Sequence, residues 1–112
     1  MSRYPFVAVY ITASGRNGTL YVGVTRNLPR RMLAHKHERF EGFSRKYGCK
    51  RLVWFRRFQH LTDAIHFEKS LKRWRRAWKF REIEAGNPEW RDLSDGWFDE
   101  TTNRRLIDPE NP

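Results

Sequence analysis

A chain of 112 residues fits one domain built around a single core. Its 23 Lys and Arg against 13 Asp and Glu give a net charge of +10, while 38% hydrophobic and 15% aromatic residues exclude a disordered basic tail. The expected partners of such a folded basic protein are polyanions, DNA or RNA ahead of an anionic membrane surface. The single cysteine, Cys49, excludes an internal disulfide and a Cys-rich zinc site and favours a reducing, cytoplasmic setting; no run approaches the ~20 apolar residues of a membrane span.

Arg3 followed by the apolar run Pro5 to Ala13 and then Ser14-Gly15 superficially mimics a secretory leader. The run is short, carries Tyr10, and ends in turn residues that lead to a matching second strand. Phe6 to Ile11 therefore reads as a first strand, apolar at both parities and so covered on both faces. Ser14 to Gly18 is dense in turn formers, with Asn17-Gly18 as a hairpin signal, and Thr19 to Thr25 returns as strand two. Asn27 caps a predicted helix from Leu28 to about His37, with Pro29 tolerated in its first turn. Glu38 to Lys50 is a basic, partly aromatic connection, and Arg51 to Phe58 is a third strand.

Thr62 is the expected cap of the longest helix, Asp63 to about Trp74, whose apolar positions Leu61, Ala64, Ile65 and Leu71 follow helical spacing. A last helix from Trp78 to Ala85 is expected to stop at Gly86, with Asn87-Pro88 forcing an extended exit and Trp90 and Leu93 packing back. The order β-β-α-β-α-α describes a small α/β (α+β) unit, with helices on a short sheet. The folded unit is expected over residues 1–95, with residues 96–112 a polar, partly disordered tail.

Four features can carry chemistry. An odd register sum in the hairpin would put Tyr10 and Tyr21 on one face, as paired core aromatics or as phenols in a cationic site. Arg31 and His35, one helical turn apart, flank the inward side marked by Leu28 and Met32, whereas Arg30 points away. Arg31 there suits a bidentate grip on phosphate, or simply snorkels. Glu68 lies inside the inward arc of the long helix, where a carboxylate needs a partner: Lys72 at i+4, or a divalent cation completed by water and substrate phosphate. Finally, Lys69, Lys72, Arg73, Arg75, Arg76, Lys79 and Arg81 place seven cations in thirteen residues, interleaved with Trp74, Trp78 and Phe80. That mixture suits backbone phosphates with base or sugar stacking, although a charge run can also be a solvated helix face. The four histidines, His35, His37, His60 and His66, form no zinc pattern.

In their order along the chain, these residues resemble the GIY-YIG endonucleases. Ala8-Val9-Tyr10 stands in the place of the Gly-Ile-Tyr element and Tyr21-Val22-Gly23 in that of Tyr-Ile-Gly. Arg31 matches the family's arginine on the next helix, Glu68 its metal-ligating glutamate, and Asn87-Pro88-Glu89-Trp90 the closing motif of short single-domain bacterial members. Ala8, Val9 and Val22 depart from the pattern but keep a small residue and β-branched packing.

The resemblance implies a three-stranded antiparallel sheet flanked by helices and one-metal hydrolysis of a DNA phosphodiester. Tyr10 would be the general base, with Tyr21 beside it and His35 as proton relay; Arg31 would stabilise the phosphate and Glu68 would hold one Mg²⁺ or Mn²⁺. Gly23 and Asn87 are further site candidates. Branched, damaged or single-stranded DNA is the expected partner, DNA repair the expected setting, and RNA stays open. The alternative is a non-catalytic nucleic-acid-binding module using the basic Lys69–Arg81 face.

Overall fold

The computed structural model describes residues 7–37 and 47–97. The predicted connection from Glu38 falls partly, and the predicted tail almost entirely, outside them. The elements are β1 (Val7–Ala13), β2 (Leu20–Thr25), α1 (Leu28–Lys36), β3 (Arg51–Phe58), α2 (Leu61–Arg73) and α3 (Arg76–Gly86). The three strands form one antiparallel sheet in the order β2-β1-β3. Among the described residues no helix is long and apolar enough to cross a membrane.

The central position of β1 explains its apolar composition at both parities. Val9, Ile11 and Ala13 pack with Ala64, Leu71 and Ile83 of α2 and α3, while Ala8 and Tyr10 pack with Leu28 and Met32 of α1. Each face of the sheet thus buries its own helices, the layered solution for a small mixed domain. The run Leu52-Val53-Trp54-Phe55 obeys no two-residue alternation because β3 is bulged. Ile11 pairs with Trp54 and Thr12 with Leu52, leaving Val53 as the extra residue. Val53 and Trp54 consequently join the α2/α3 core, whereas Leu52 and Phe55 join the α1 side.

The hairpin closes on a longer loop than a two-residue Asn17-Gly18 turn. The Ser14 amide donates to the Thr19 carbonyl at 3.0 Å, and inside that pair Gly18 N–H donates to Gly15 O at 3.0 Å. Asn17 adopts a left-handed φ of 57°, a conformation Asn tolerates better than most residues. Tyr10 lies opposite Gly23, so the register sum is odd and Tyr21, two residues before Gly23, shares a face with Tyr10.

Asn27 caps α1 as expected, its Oδ1 accepting from Arg30 N–H at 3.2 Å. The α2 start differs from expectation. The helix begins at Leu61 with His60 as its cap and no side-chain cap bond, and Thr62 is already helical and exposed. Partial burial of Leu61 at the head of the apolar stripe outweighs the capping preference of Thr62.

Trp74 and Arg75 are extended, with ψ of 147° and 148°, so α2 and α3 are separate helices. α3 starts two residues before the expected Trp78, where Arg76 donates to the Asn17 and Gly18 carbonyls at 3.1 and 2.6 Å. Gly86 is the last residue of α3 rather than a left-handed cap beyond it; Asn87 ends the helix.

The segment after α3 packs back through Trp90 and Leu93. Trp90 is fully buried in a left-handed conformation (φ 59°), uncommon for a bulky side chain. Its indole N–H donates to Glu84 at 2.7 Å and its carbonyl accepts from Arg51 at 3.1 Å. Asp92, not singled out in the sequence, clamps the same segment. It pairs with Lys36 of α1 and accepts from the Leu52 amide of β3 at 3.2 Å and from the Ser94 hydroxyl at 2.6 Å. Burial pushes the Asp92 carboxyl upward, but Lys36 and the Ser94 donors outweigh it and hold the group below the usual carboxylate range.

Candidate functional site

The centre of the site is the Tyr10 phenol. Its position on the central strand buries the residue completely, and its ring crosses the face of β2 at Gly23. A Cβ at residue 23 would lie 2.5 Å from the Tyr10 hydroxyl oxygen and 2.6 Å from the ring carbon bearing it. Only glycine leaves that space, which makes Gly23 a requirement of the Tyr10 ring position rather than of a turn.

Three rings gather there. The Tyr10 and Tyr21 ring centroids are 6.3 Å apart, and the His35 imidazole meets Tyr10 at 5.6 Å and Tyr21 at 5.3 Å in edge-on geometry. The Tyr10 hydroxyl and His35 Nε2 form a buried hydrogen bond of 2.9 Å, whose donor depends on the imidazole tautomer. Helical spacing in α1 brings His35 one turn beyond Arg31, which is half-buried at the rim together with Tyr21. Arg30 is exposed, as its place on the helical wheel predicts.

Opposing forces act on the phenol. Burial raises its pKa most, the Tyr21 hydroxyl adds to that, and the Glu68 charge raises it further. The Arg31 guanidinium lowers it, both through its charge and through a hydrogen bond. Burial wins, and the resting phenol is held protonated, well above its ordinary value. His35 is shifted the other way, down to about 4, first by burial and then by the Arg31 charge, so its imidazole is neutral at pH 7.

A stability consequence follows, because His35 protonates near pH 6.5 in the unfolded chain but only near pH 4 in the folded one. Between those values the unfolded chain binds more protons, so stability present above pH 6.5 is lost as pH falls toward 4, by up to about 3 kcal/mol. Denaturant midpoints at pH 7 and 4.5 should show this loss in the wild type and a smaller one in His35→Gln. Equal losses would mean that His35 titrates normally in the fold. The Asp92 contribution disappears at lower pH, since its folded value is depressed.

Glu68 arrives from α2, which lies across β1 and β2. It is 8% exposed, so the inward placement read from the helical spacing holds. Its Oε2 is 2.6 Å from the Nζ of Lys72, an exposed i,i+4 partner. Among the described residues no three His, Cys, Asp or Glu side chains gather into a metal-binding cluster. One carboxylate completed by water and a substrate phosphate is nevertheless a common Mg²⁺ arrangement, and Glu68 fits that pattern as a single protein ligand.

The other candidates divide. Asn87 is buried and its amide is committed to backbone: Nδ2 donates to the Val53 and Arg91 carbonyls at 3.2 and 2.8 Å, and Oδ1 accepts from Arg91 N–H at 2.9 Å. It organises the turn that returns Trp90 to the core. On the basic face, Lys69, Lys72, Arg73, Arg75 and Arg81 are exposed. Arg76 is engaged with the hairpin loop, and Lys79 donates to the Lys72 carbonyl at 3.2 Å. Partial burial and then the Arg76 charge lower the Lys79 pKa.

Searches of the curated proteins and of the solved structures return no match. The family model of the GIY-YIG catalytic domain matches residues 6–81, which span β1 to the first half of α3 and hold the Tyr10 group together with Glu68. Nucleases of this kind act on DNA and generally use divalent metals. With more than half of its length covered, and with the sheet order and ring cluster just described, the chain belongs to the GIY-YIG family.

Proposed function

We propose that this protein is an endonuclease that hydrolyses DNA phosphodiester bonds, with Tyr10 as general base, His35 as relay, Arg31 stabilising the phosphate and Glu68 holding one Mg²⁺ or Mn²⁺. The observation that carries the reading is a buried central-strand phenol bonded to His35, with Arg31 and, more weakly, Glu68 acting on it electrostatically from two different helices.

A phenol held protonated is a poor base by itself. Neutral His35 at 2.9 Å resolves this: as the Tyr10 oxygen takes a proton from water, its own proton passes to Nε2. No resting phenolate is then required. The imidazolium so formed sits near Arg31, a like-charge cost that the incoming phosphate offsets. Arg31 is half-buried, where its fork meets phosphate oxygens with less competition from water. Tyr21 packs on both rings and fixes their edges. Glu68 would hold a divalent ion, which would supply Lewis-acid stabilisation of the leaving oxygen.

The test is a panel of supercoiled, linear, forked and single-stranded DNA, each with several divalent ions. Strand scission is expected. The Glu68–Lys72 pair and the full burial of Tyr10 also suit a module that binds nucleic acid without cutting it, and binding without scission across the panel would favour that reading.

The approach of DNA is assigned to the exposed cations of α2 and the α2–α3 junction. Reversing Lys69 and Arg73 to Glu should flatten the slope of log affinity against log salt by about 0.9 for each phosphate no longer neutralised. These positions are chosen because their side chains are exposed, whereas Arg76 also ties down the hairpin loop. An unchanged slope would place the DNA track on another face.

A further inference from the structure

We propose that the Trp78 indole is a stacking platform for an unpaired base beside the cleaved phosphodiester, so that the substrate is DNA with a single-stranded segment rather than continuous duplex. This rests on the nuclease reading above and narrows its substrate.

Trp78 is 49% exposed, and among the described residues only it and Tyr47 are large hydrophobic side chains left so open. Its orientation is nonetheless held. The Trp74 ring meets it edge-on at 6.5 Å, Trp74 meets Phe67 edge-on at 6.1 Å, and Phe67 stacks on Trp54 of β3 at 6.2 Å. A line of aromatics therefore runs from the sheet to the surface and ends in an open indole. The Arg75 guanidinium lies 5.8 Å from the Trp78 ring centroid.

The surroundings identify the occupant. No acidic residue occurs from Lys69 to Arg81, and Lys69, Arg73, Arg75 and Arg81 are all exposed. A polyanion complements such a surface, and a polyanion that also offers flat apolar faces complements the indole. Paired DNA presents phosphates but keeps its base faces stacked inside; an unpaired strand presents both. Phosphate contacts alone would leave the exposed indole without a role.

The platform is linked to the helix that carries Glu68. Lys72, which pairs with Glu68, accepts through its carbonyl from Lys79, the residue after Trp78. Although the chain is extended at Trp74 and Arg75, these contacts tie the first turn of α3 to the last turn of α2. A strand gripped at Trp78 is thereby held in a defined relation to Glu68.

Binding is measured in chelator, where no turnover is needed, with three DNA probes at one salt concentration: a single strand, a fork and a blunt duplex of equal length. Trp78→Ala should weaken single-strand and fork binding about tenfold, and duplex binding less than twofold, because only an unpaired base loses a stacking partner. Trp78→Phe should keep most of the affinity, and the salt slope should not change, since no charge is altered. As a second readout, oligothymidylate should quench indole emission in the wild type more than in Trp78→Phe.

An equal loss on all three probes, or no loss together with equal quenching, would overturn the proposal. Preferential binding of an acidic peptide over the single strand would overturn it too. The nuclease reading is judged separately: if the Trp78 discrimination persists but no probe is cut when metal is restored, catalysis fails and the platform stands.

Discussion

Glu68→Gln is expected to reduce metal-dependent DNA cleavage by about a thousandfold, the scale associated with losing a principal source of transition-state charge stabilisation. The substitution keeps the shape of a nearly buried side chain and removes only its charge. DNA affinity should be unchanged or slightly tighter, because a negative group is removed from a cationic surface. The fold should be little affected, since the Lys72 partner is exposed and such pairs contribute at most ~1 kcal/mol. Single-turnover cleavage, a binding titration and a thermal melt on one preparation separate these quantities. Cleavage at the wild-type rate would remove Glu68 from the chemistry and leave it as a helix ion pair.

The second large effect is expected at Tyr10. Tyr10→Phe retains the ring that fills the space over Gly23 but deletes the oxygen bonded to His35. Loss of a general base costs roughly 100- to 10,000-fold in rate, so cleavage should fall within that range with binding preserved. The relay adds a signature in pH. With His35 shifted to about 4, the imidazole is available as acceptor throughout the neutral range, and wild-type cleavage should show no acid limb near pH 6.5. An acid limb at 6.5 would mean that a normally titrating group, not the buried His35, sets the protonation state. Removing a buried hydroxyl also leaves the Nε2 partner unsatisfied, so a modest loss of stability accompanies the change.

Much of this architecture was legible because local and tertiary preferences agree. β1 reads as doubly covered and is central; Asn27 reads as a cap, and its oxygen accepts from the Arg30 amide; Glu68 reads as inward and is buried. The pairing of Tyr10 and Tyr21 on one face depended only on the parity of the register, which a longer loop than expected leaves odd. Where reading failed, a non-local contact decided. Leu61 draws the start of α2 ahead of Thr62, and Arg76 starts α3 early through the hairpin carbonyls. The bulge at Val53 was hidden in a continuous apolar run, which gives no sign of which residue is unpaired.

Residue types and spacing offered Tyr10, Arg31, His35 and Glu68 as inward-facing candidates and the family resemblance gave them roles, but neither gives the direction in which burial moves the phenol. That direction follows from the packing of α1 over Tyr10, a property of the folded core. The family resemblance likewise pointed to Asn87 as a site candidate, and the charge run to Arg76 as a phosphate contact. The Asn87 bond to Val53 and the Arg76 bonds to Asn17 and Gly18 connect distant segments that no spacing rule links. Asp92, a single aspartate in a polar stretch, carries no periodic signal in the sequence.

Joint action of Tyr10, Arg31 and Glu68 on one phosphodiester is the proposed chemistry. Its most direct test is single-turnover scission of a forked DNA by the purified wild type, with Mg²⁺ and with Mn²⁺, against the same reaction in chelator. Strand breaks that need the ion and vanish in Glu68→Gln are the predicted result. Saturated binding with intact strands under every ion would contradict it.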